Sequence, residues 1–178
     1  MLSYSDRMGL DQRAQPIFMK RHFTQTFGVV GAIIERDGKI LLVKESEGRA
    51  KGQWNHPAGW IDIGENPSEA VKREIKEETG FEFSPSSILG VYSLFKVSLK
   101  EKFNITPHPI KIIFTGEISN KQVAQPYDEI SEIGWFFPDE IDKMDSKTLR
   151  DVDIKQMVKD YFSGKRYSLE LLTHTEDR

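Results

Sequence analysis

Residues 59–81 read GWIDIGENPSEAVKREIKEETGF, and the interpretation of the whole chain starts from this stretch. Asn66 is a favoured helix N-cap, and Pro67 suits the first helical position because its missing N–H needs no partner there. Gly80 suits the residue that follows a helix, where a left-handed backbone is common. The stretch therefore predicts a helix from Pro67 to Thr79.

Three glutamates of this helix, Glu74, Glu77 and Glu78, have the spacing i, i+3 and i+4 and share one face. Ala70 and Val71 lie on or beside the same face, whereas a solvated amphipathic helix turns its acids away from its apolar side. Three close carboxylates repel one another unless a cation neutralises them. Because Mg²⁺ binds oxygen ligands and is often completed by substrate phosphates, the helix is interpreted as a divalent-metal site.

The composition of the 178-residue chain limits its class, and the length fits one domain with a sizeable core. A net charge of -3 with 30% charged residues argues against a general nucleic-acid binder. No stretch approaches the roughly 18 apolar residues of a membrane span, and no secretory apolar core is present at the N-terminus. The lack of cysteine excludes disulfides, thiolate nucleophiles and zinc–thiolate sites. A cytoplasmic location is expected.

Apolar runs predict strands on both sides of this helix. The predicted strands cover residues 27–34, 40–43, 88–99, 110–118 and 133–137, and further helices cover residues 138–144 and 151–162. Asp37-Gly38 predicts a tight turn, and the chain is expected to turn again at Pro85. Strands with interspersed helices predict an α+β fold or a mixed-sheet α/β sandwich. Residues 1–26 are interpreted as an N-terminal arm before a domain of residues 27–178.

The fixed residues of the opening stretch resemble an intact Nudix box. The matching positions are Gly59, Glu65, Arg73, Glu74, Glu77, Glu78 and Gly80, with the apolar residues Ile75 and Phe81. The match needs no gap and is far more specific than a short glycine motif. The chain is identified as a MutT-like member of the Nudix hydrolase family, and the resemblance covers about residues 27–145.

This resemblance implies a mixed β-sheet sandwiched between helices. It also implies hydrolysis of a pyrophosphate linkage in a nucleoside di- or triphosphate or a related diphosphate-containing metabolite, by attack of water on phosphorus. The matching positions imply that Glu74, Glu77 and Glu78 bind Mg²⁺, with Mn²⁺ as a substitute. The backbone of Gly59 is expected to help bind the metal.

The same resemblance assigns structural roles. Arg73 and Glu65 match the pair in which the arginine steadies a loop carboxylate, and Gly80 matches the glycine that ends the helix. Ala58 stands where many relatives have a second glycine. The segment containing it is similar to a bacterial phosphatase subgroup that acts on thiamine-pathway pyrophosphates and on nucleoside di- or triphosphates.

The general base is left open by the sequence. A carboxylate in a later loop is one choice, and we favour Glu129, with Glu132 next, from the acidic segment YDEISEIGW. Glu77 or Glu78 acting both as ligand and as base is the other choice.

Substrate contacts are predicted around the box. The candidates are Lys44, Arg49, Lys51, His56 and Trp60. The substrate group beyond the phosphates is expected to be recognised by the arm, by the loops over residues 45–53 and 100–109, and by Trp60. The expected partner is a small diphosphate-containing molecule, with no stable nucleic-acid complex and no membrane. A homodimer built by the arm fits the sequence. The alternative function is a non-catalytic Nudix-fold module that senses a nucleotide-type metabolite.

Overall fold

The structure is a computed structural model that describes residues 26–95 and 108–177. The predicted N-terminal arm over residues 1–26 therefore lies almost entirely outside the described part, and the domain of residues 27–178 stays a prediction. Among the described residues, no helix is long and apolar enough to cross a membrane.

Strands and helices follow the order expected from the sequence. The strands are β1 (Thr26–Ala32), β2 (Glu35–Arg36), β3 (Lys39–Glu45), β4 (Trp54–Asn55), β5 (Ala58–Trp60), β6 (Phe83–Ser93), β7 (His108–Ile118) and β8 (Ile130–Phe136). The helices are α1 (Pro67–Thr79), α2 (Pro138–Lys143) and α3 (Ile154–Phe162). These helices belong to the larger of two compact units, which consists of Gly28–Tyr92 and Ile110–Arg178.

Within the described residues the strands pair into two four-stranded sheets. The order in the first is β5-β1-β7-β6, and Gly59 of β5 pairs with Val30 of β1. In the second, β2, β3 and β4 pair in that order, and β8 pairs with β3 so that Gly134 lies opposite Leu42. The predicted α+β fold is confirmed.

Helices cover these strands from two sides. The α1 cluster consists of Val30, Ala32, Ile34, Leu41, Ala70, Val71, Ile75, Phe83, Ile88 and Phe114. The α3 cluster consists of Ile33, Ile40, Leu42, Trp54, Leu89, Ile113, Ile141, Leu149, Ile154, Met157 and Val158. On β3, Leu41 belongs to the first cluster and its neighbours Ile40 and Leu42 to the second, because successive side chains of a strand point to opposite faces. The strand is thus buried between helices on both faces, as predicted.

Helix α1 has the bounds that its sequence predicts. The side chain of Asn66 accepts a hydrogen bond from the backbone N–H of Ser68 at 2.9 Å, which satisfies one of the unpaired donors of the first turn. Gly80 ends the helix with a φ of 73°, a left-handed conformation that glycine adopts at little cost. Ala70 and Ile75 are buried, so the apolar side of α1 faces the strands.

Three local predictions are wrong. The strand predicted over residues 88–99 begins earlier, at Phe83, and ends at Ser93. Pro85 therefore lies inside β6 rather than in a turn. β6 is the last strand in its sheet, and proline is tolerated there because one side of an edge strand needs no N–H donor. Helix α3 begins at Ile154 rather than at Asp151. The residues before it form a turn in which Asp151 and Asp153 both contact the Lys111 ammonium across the fold.

Candidate functional site

Strand β5 and helix α1 place Gly59 directly beside the carboxylate of Glu74. The pairing of Gly59 with Val30 fixes the position of β5 on β1. A Cβ atom built on Gly59 would lie 2.0 Å from Oε2 of Glu74, so any larger residue would displace that carboxylate. Glycine is needed here for close approach of a side chain to the backbone.

Arg73 connects the loop after β5 with the glutamates of α1. Its Nε and Nη2 donate to the two carboxylate oxygens of Glu65, at 2.8 and 2.9 Å. Its Nη1 donates to Glu74 at 2.8 Å and to Glu77 at 3.0 Å. Nη2 also donates to the carbonyl oxygen of Trp60 at 3.0 Å. One guanidinium therefore sets the positions of three carboxylates.

Burial and charge act differently on these carboxyl groups. The hydrogen bonds from Arg73 lower the pKa of Glu65, and the same pairing raises the pKa of the arginine. Burial raises the pKa of Glu74, despite its contact with Arg73. Burial also raises the pKa of Glu78 well above its usual range, although the carboxylate accepts a hydrogen bond from the N–H of Ala58 at 2.8 Å. Two glutamates of α1 are thus only partly compensated as anions.

The donor set fits a hard divalent cation. Among residues 26–95 and 108–177, no three His, Asp or Glu side chains are grouped as the ligands of a metal ion would be. Instead Nη1 of Arg73 lies between Glu74 and Glu77. The groups present are oxygen donors. Burial disfavours the charged forms of Glu74 and Glu78, which is why their pKa values are raised, and a bound cation would offset this cost. These residues therefore suit an ion such as Mg²⁺.

Comparison with known proteins identifies the family. The family model described as NUDIX domain matches residues 24–159. The chain belongs to the Nudix family. An ADP-ribose pyrophosphatase of Methanocaldococcus jannaschii is 34% identical over 136 residues, which cover 76% of this chain and 73% of the relative. The phosphatase NudJ of Escherichia coli is 29% identical over 144 residues, covering 80% and 88% of the two chains.

A solved structure supports the same conclusion. The NUDIX hydrolase from Nitrosomonas europaea has a TM-score of 0.74 at 33% identity, covering 85% of this chain and 98% of its own. The resemblance to MutT-like Nudix proteins is confirmed. This Nudix protein is a hydrolase that acts on pyrophosphate bonds.

Replacing Arg73 by lysine tests its role within the Nudix box. We expect Arg73→Lys to lower the free energy of unfolding by about 2 kcal/mol, because one ammonium cannot replace the forked contacts to Glu65 together with those to α1. We expect kcat/KM to fall about tenfold, since the glutamates lose their common anchor. Urea unfolding and steady-state kinetics measure both. Arg166→Lys is the control, because Arg166 contacts no carboxylate: it donates to two backbone carbonyls near the end of α3 and lies over the ring of Tyr161, where lysine keeps the positive charge. Equal unfolding midpoints for both variants would contradict the assigned role.

The two later candidates for the base lie in different surroundings. Glu132 of β8 is opposite Lys44 of β3, and the two side chains pair at 3.0 Å. The next residue, Ile133, packs against the α1 cluster, so Glu132 points to the other face of the strand. The structure does not bring Glu132 or Lys44 to the glutamates of α1.

Glu129 lies in the turn before β8, which is tied to both sides of the site. The backbone N–H of Tyr127 donates to the carbonyl of Glu77 at 2.8 Å, and its hydroxyl lies 3.4 Å from the carboxylate of Glu77. The N–H of Ser46, which follows β3, donates to the carbonyl of Glu129 at 2.8 Å. Glu129 is exposed between these two anchors.

The predicted substrate contacts are spread over the surface and the interior. Trp60 is 61% exposed beside the Nudix box, and Arg49 and Lys51 are exposed in the loop after β3. His56 is only 1% exposed. Burial, with help from the charge of Lys111, lowers the pKa of His56 to about 3, so the ring is neutral. A buried neutral ring is poorly placed for direct contact with a phosphate.

Sequence reasoning missed several polar residues near the Nudix box. Tyr127 contacts Glu77, as described, and Arg150 forms an ion pair with Glu45 at the end of β3. Strand periodicity offers a signal for Glu45, because Leu41 on the same strand belongs to the α1 cluster. For Arg150 no local signal exists, since 105 positions separate it from Glu45.

Proposed function

We propose that this Nudix hydrolase is a metal-dependent pyrophosphohydrolase acting on a nucleoside diphosphate linked to a further group, with ADP-ribose as the first candidate. The presence of Glu74, Glu77 and Glu78 on one face of α1, next to Gly59 and Arg73, carries the proposal. The substrate is supported by the relative named as an ADP-ribose pyrophosphatase. The resemblance of the segment around Ala58 to a bacterial phosphatase subgroup supports nucleoside di- or triphosphates as second candidates, and one relative is named as a phosphatase.

Nudix hydrolases use divalent metal ions in general, and we propose Mg²⁺, with Mn²⁺ as a substitute. The three glutamates and the backbone of Gly59 would hold it. When bound, the ion supplies charge neutralisation for the phosphates and lowers the pKa of a coordinated water. Arg73 keeps two of these carboxylates in place, and Ala58 N–H holds the third.

The chain's own residues then complete the reaction. Water attacks one phosphorus of the pyrophosphate, the bond from that phosphorus to the bridging oxygen breaks, and the attacking water loses a proton. We propose Glu129 as the base that takes this proton, because its turn is anchored to Glu77 on one side and to Ser46 on the other. A glutamate of α1 acting as both ligand and base is the alternative.

A non-catalytic sensing module is less well supported. Such a module would be expected to lose carboxylates of the Nudix box, and Glu74, Glu77 and Glu78 are all present. The cytoplasmic location, the homodimer and the lack of a stable nucleic-acid complex stay predictions.

A substrate panel tests the proposal. Purified protein with Mg²⁺ is expected to release phosphate, pyrophosphate or a nucleotide from at least one of five substrate classes. The panel consists of ADP-ribose, nucleoside diphosphates, nucleoside triphosphates, dinucleoside polyphosphates and thiamine-type pyrophosphates. Chelation by EDTA is expected to abolish turnover, and added Mg²⁺ or Mn²⁺ to restore it. Tight binding of one compound without turnover of any would favour the sensing module.

A further inference from the structure

A second polar group lies next to the Nudix box and includes an arginine. Nη1 of Arg150 forms an ion pair with Oε1 of Glu45, and Nδ2 of Asn55 donates to the same oxygen at 3.2 Å. The side chain of Glu45 is only 14% exposed, whereas that of Arg150 is 39% exposed. The carboxylate is therefore the inner anchor, and the guanidinium lies at the surface.

This group is close to Glu78 of α1. Asn55 and Ala58 belong to the same short segment, and the N–H of Ala58 donates to the Glu78 carboxylate at 2.8 Å. The pKa of Glu78 is raised mainly by burial, and the charges of Glu45 and Arg150 act on it in opposite directions. The guanidinium is thus close enough for its charge to act on one of the carboxylates expected to bind metal.

Arg150 still has donors to offer. Among the described residues, its guanidinium has Glu45 as partner through Nη1, which leaves Nε and Nη2 without one. Arg73, by contrast, uses Nε, Nη1 and Nη2 on carboxylates and a carbonyl. A planar guanidinium with two open donors matches the geometry of phosphate oxygens. Of these two arginines, Arg150 is the one equipped to bind an anion.

We propose that Arg150 binds a phosphate oxygen of the substrate's diphosphate, and that Glu45 and Asn55 are positioning residues that hold its guanidinium beside Glu78. The inference rests on the proposed function, because it takes the ligand to be a diphosphate. It adds a contact that lies outside the Nudix box and that the sequence did not indicate. Holding the arginine in advance reduces the entropy lost when the phosphate binds.

The first test compares Arg150→Gln with wild type. We expect KM for the best panel substrate to rise at least about tenfold, as for loss of a charge-assisted hydrogen bond. The dissociation constant of the methylene-bridged analogue of ADP, measured with Mg²⁺ by calorimetry, should rise by a similar factor. The affinity for Mn²⁺ alone should not fall, because removing a positive charge near Glu78 does not weaken the binding of a cation. Arg166→Gln is the matched control and is expected to behave as wild type in every measurement.

A double variant separates phosphate binding from a purely structural ion pair. If Arg150 contacts phosphate, the double variant Glu45→Gln with Arg150→Gln should have a KM as high as that of Arg150→Gln alone. This should hold even when the melting temperature of the double variant equals that of wild type. A structural ion pair predicts that removing both charges restores KM, and that result would overturn the proposal. Unchanged analogue affinity in Arg150→Gln would overturn it as well. Because analogue binding needs no turnover, the inference can be judged even where the panel shows no hydrolysis.

Discussion

Glu77→Gln is expected to lower turnover by about a thousandfold, because it removes one negative ligand from the proposed metal site while keeping the shape of the side chain. The amide oxygen can still accept from Arg73, which donates to Glu77 at 3.0 Å in the native protein. The free energy of unfolding should therefore change by less than about 1 kcal/mol. Steady-state kinetics measure turnover, urea unfolding measures the free energy of unfolding, and Mn²⁺ titration measures the affinity for the metal.

Glu69→Gln provides the matched control on the same helix. Glu69 is an exposed first-turn residue whose side chain pairs with Lys72 at 2.7 Å, away from the glutamates that contact Arg73. Its replacement should leave both turnover and Mn²⁺ affinity unchanged. Near-normal activity in Glu77→Gln, or an equal loss in Glu69→Gln, would refute the metal assignment.

Glu129→Gln is expected to lower kcat by about a hundredfold and to remove the acidic limb of the pH–rate profile, as loss of a general base does. Binding of Mn²⁺ should stay at the wild-type level, because this residue lies outside the proposed ligand set. The pH profile distinguishes a base from a residue that only shapes the loop. Rates between pH 5 and pH 9 give the answer.

Glu132→Gln is the control for the base, since the two acids are close in sequence but differ in surroundings. Glu132 pairs with Lys44 on the other face of β8, so its loss should cost at most about 1 kcal/mol of stability and leave kcat unchanged. A larger effect on kcat at Glu132 than at Glu129 would reverse the assignment. An acidic limb that survives in both variants would favour a glutamate of α1 as the base.

The parts of the site predicted from sequence are those governed by local rules. Helix α1 has the predicted bounds because the N-cap at Asn66, Pro67 and the left-handed Gly80 act within a few residues of the helix ends. Residues three and four positions apart on a helix share a face whatever the rest of the chain does. The spacing of the Nudix box therefore predicted the family, the metal-type chemistry and the pairing of Arg73 with Glu65.

The parts that sequence could not predict depend on which strands become neighbours. The pairing of β8 with β3 turns Glu132 away from α1 and toward Lys44, although its distance along the chain from Glu129 is small. His56 adjoins the box in sequence yet lies in the interior, where its ring lies against Gly31 of β1. Local spacing does not encode either outcome.

Arg150 shows the difference most clearly. By itself the sequence determined a helix with three acids on one face and, through its resemblance to the Nudix family, the class of bond that is broken. Only the tertiary structure decided which distant side chains stand beside those acids, since the contact between Arg150 and Glu45 closes across 105 positions. Such contacts form when packing of the apolar faces brings distant strands together. No short-range sequence pattern predicts which polar residues become neighbours as a result.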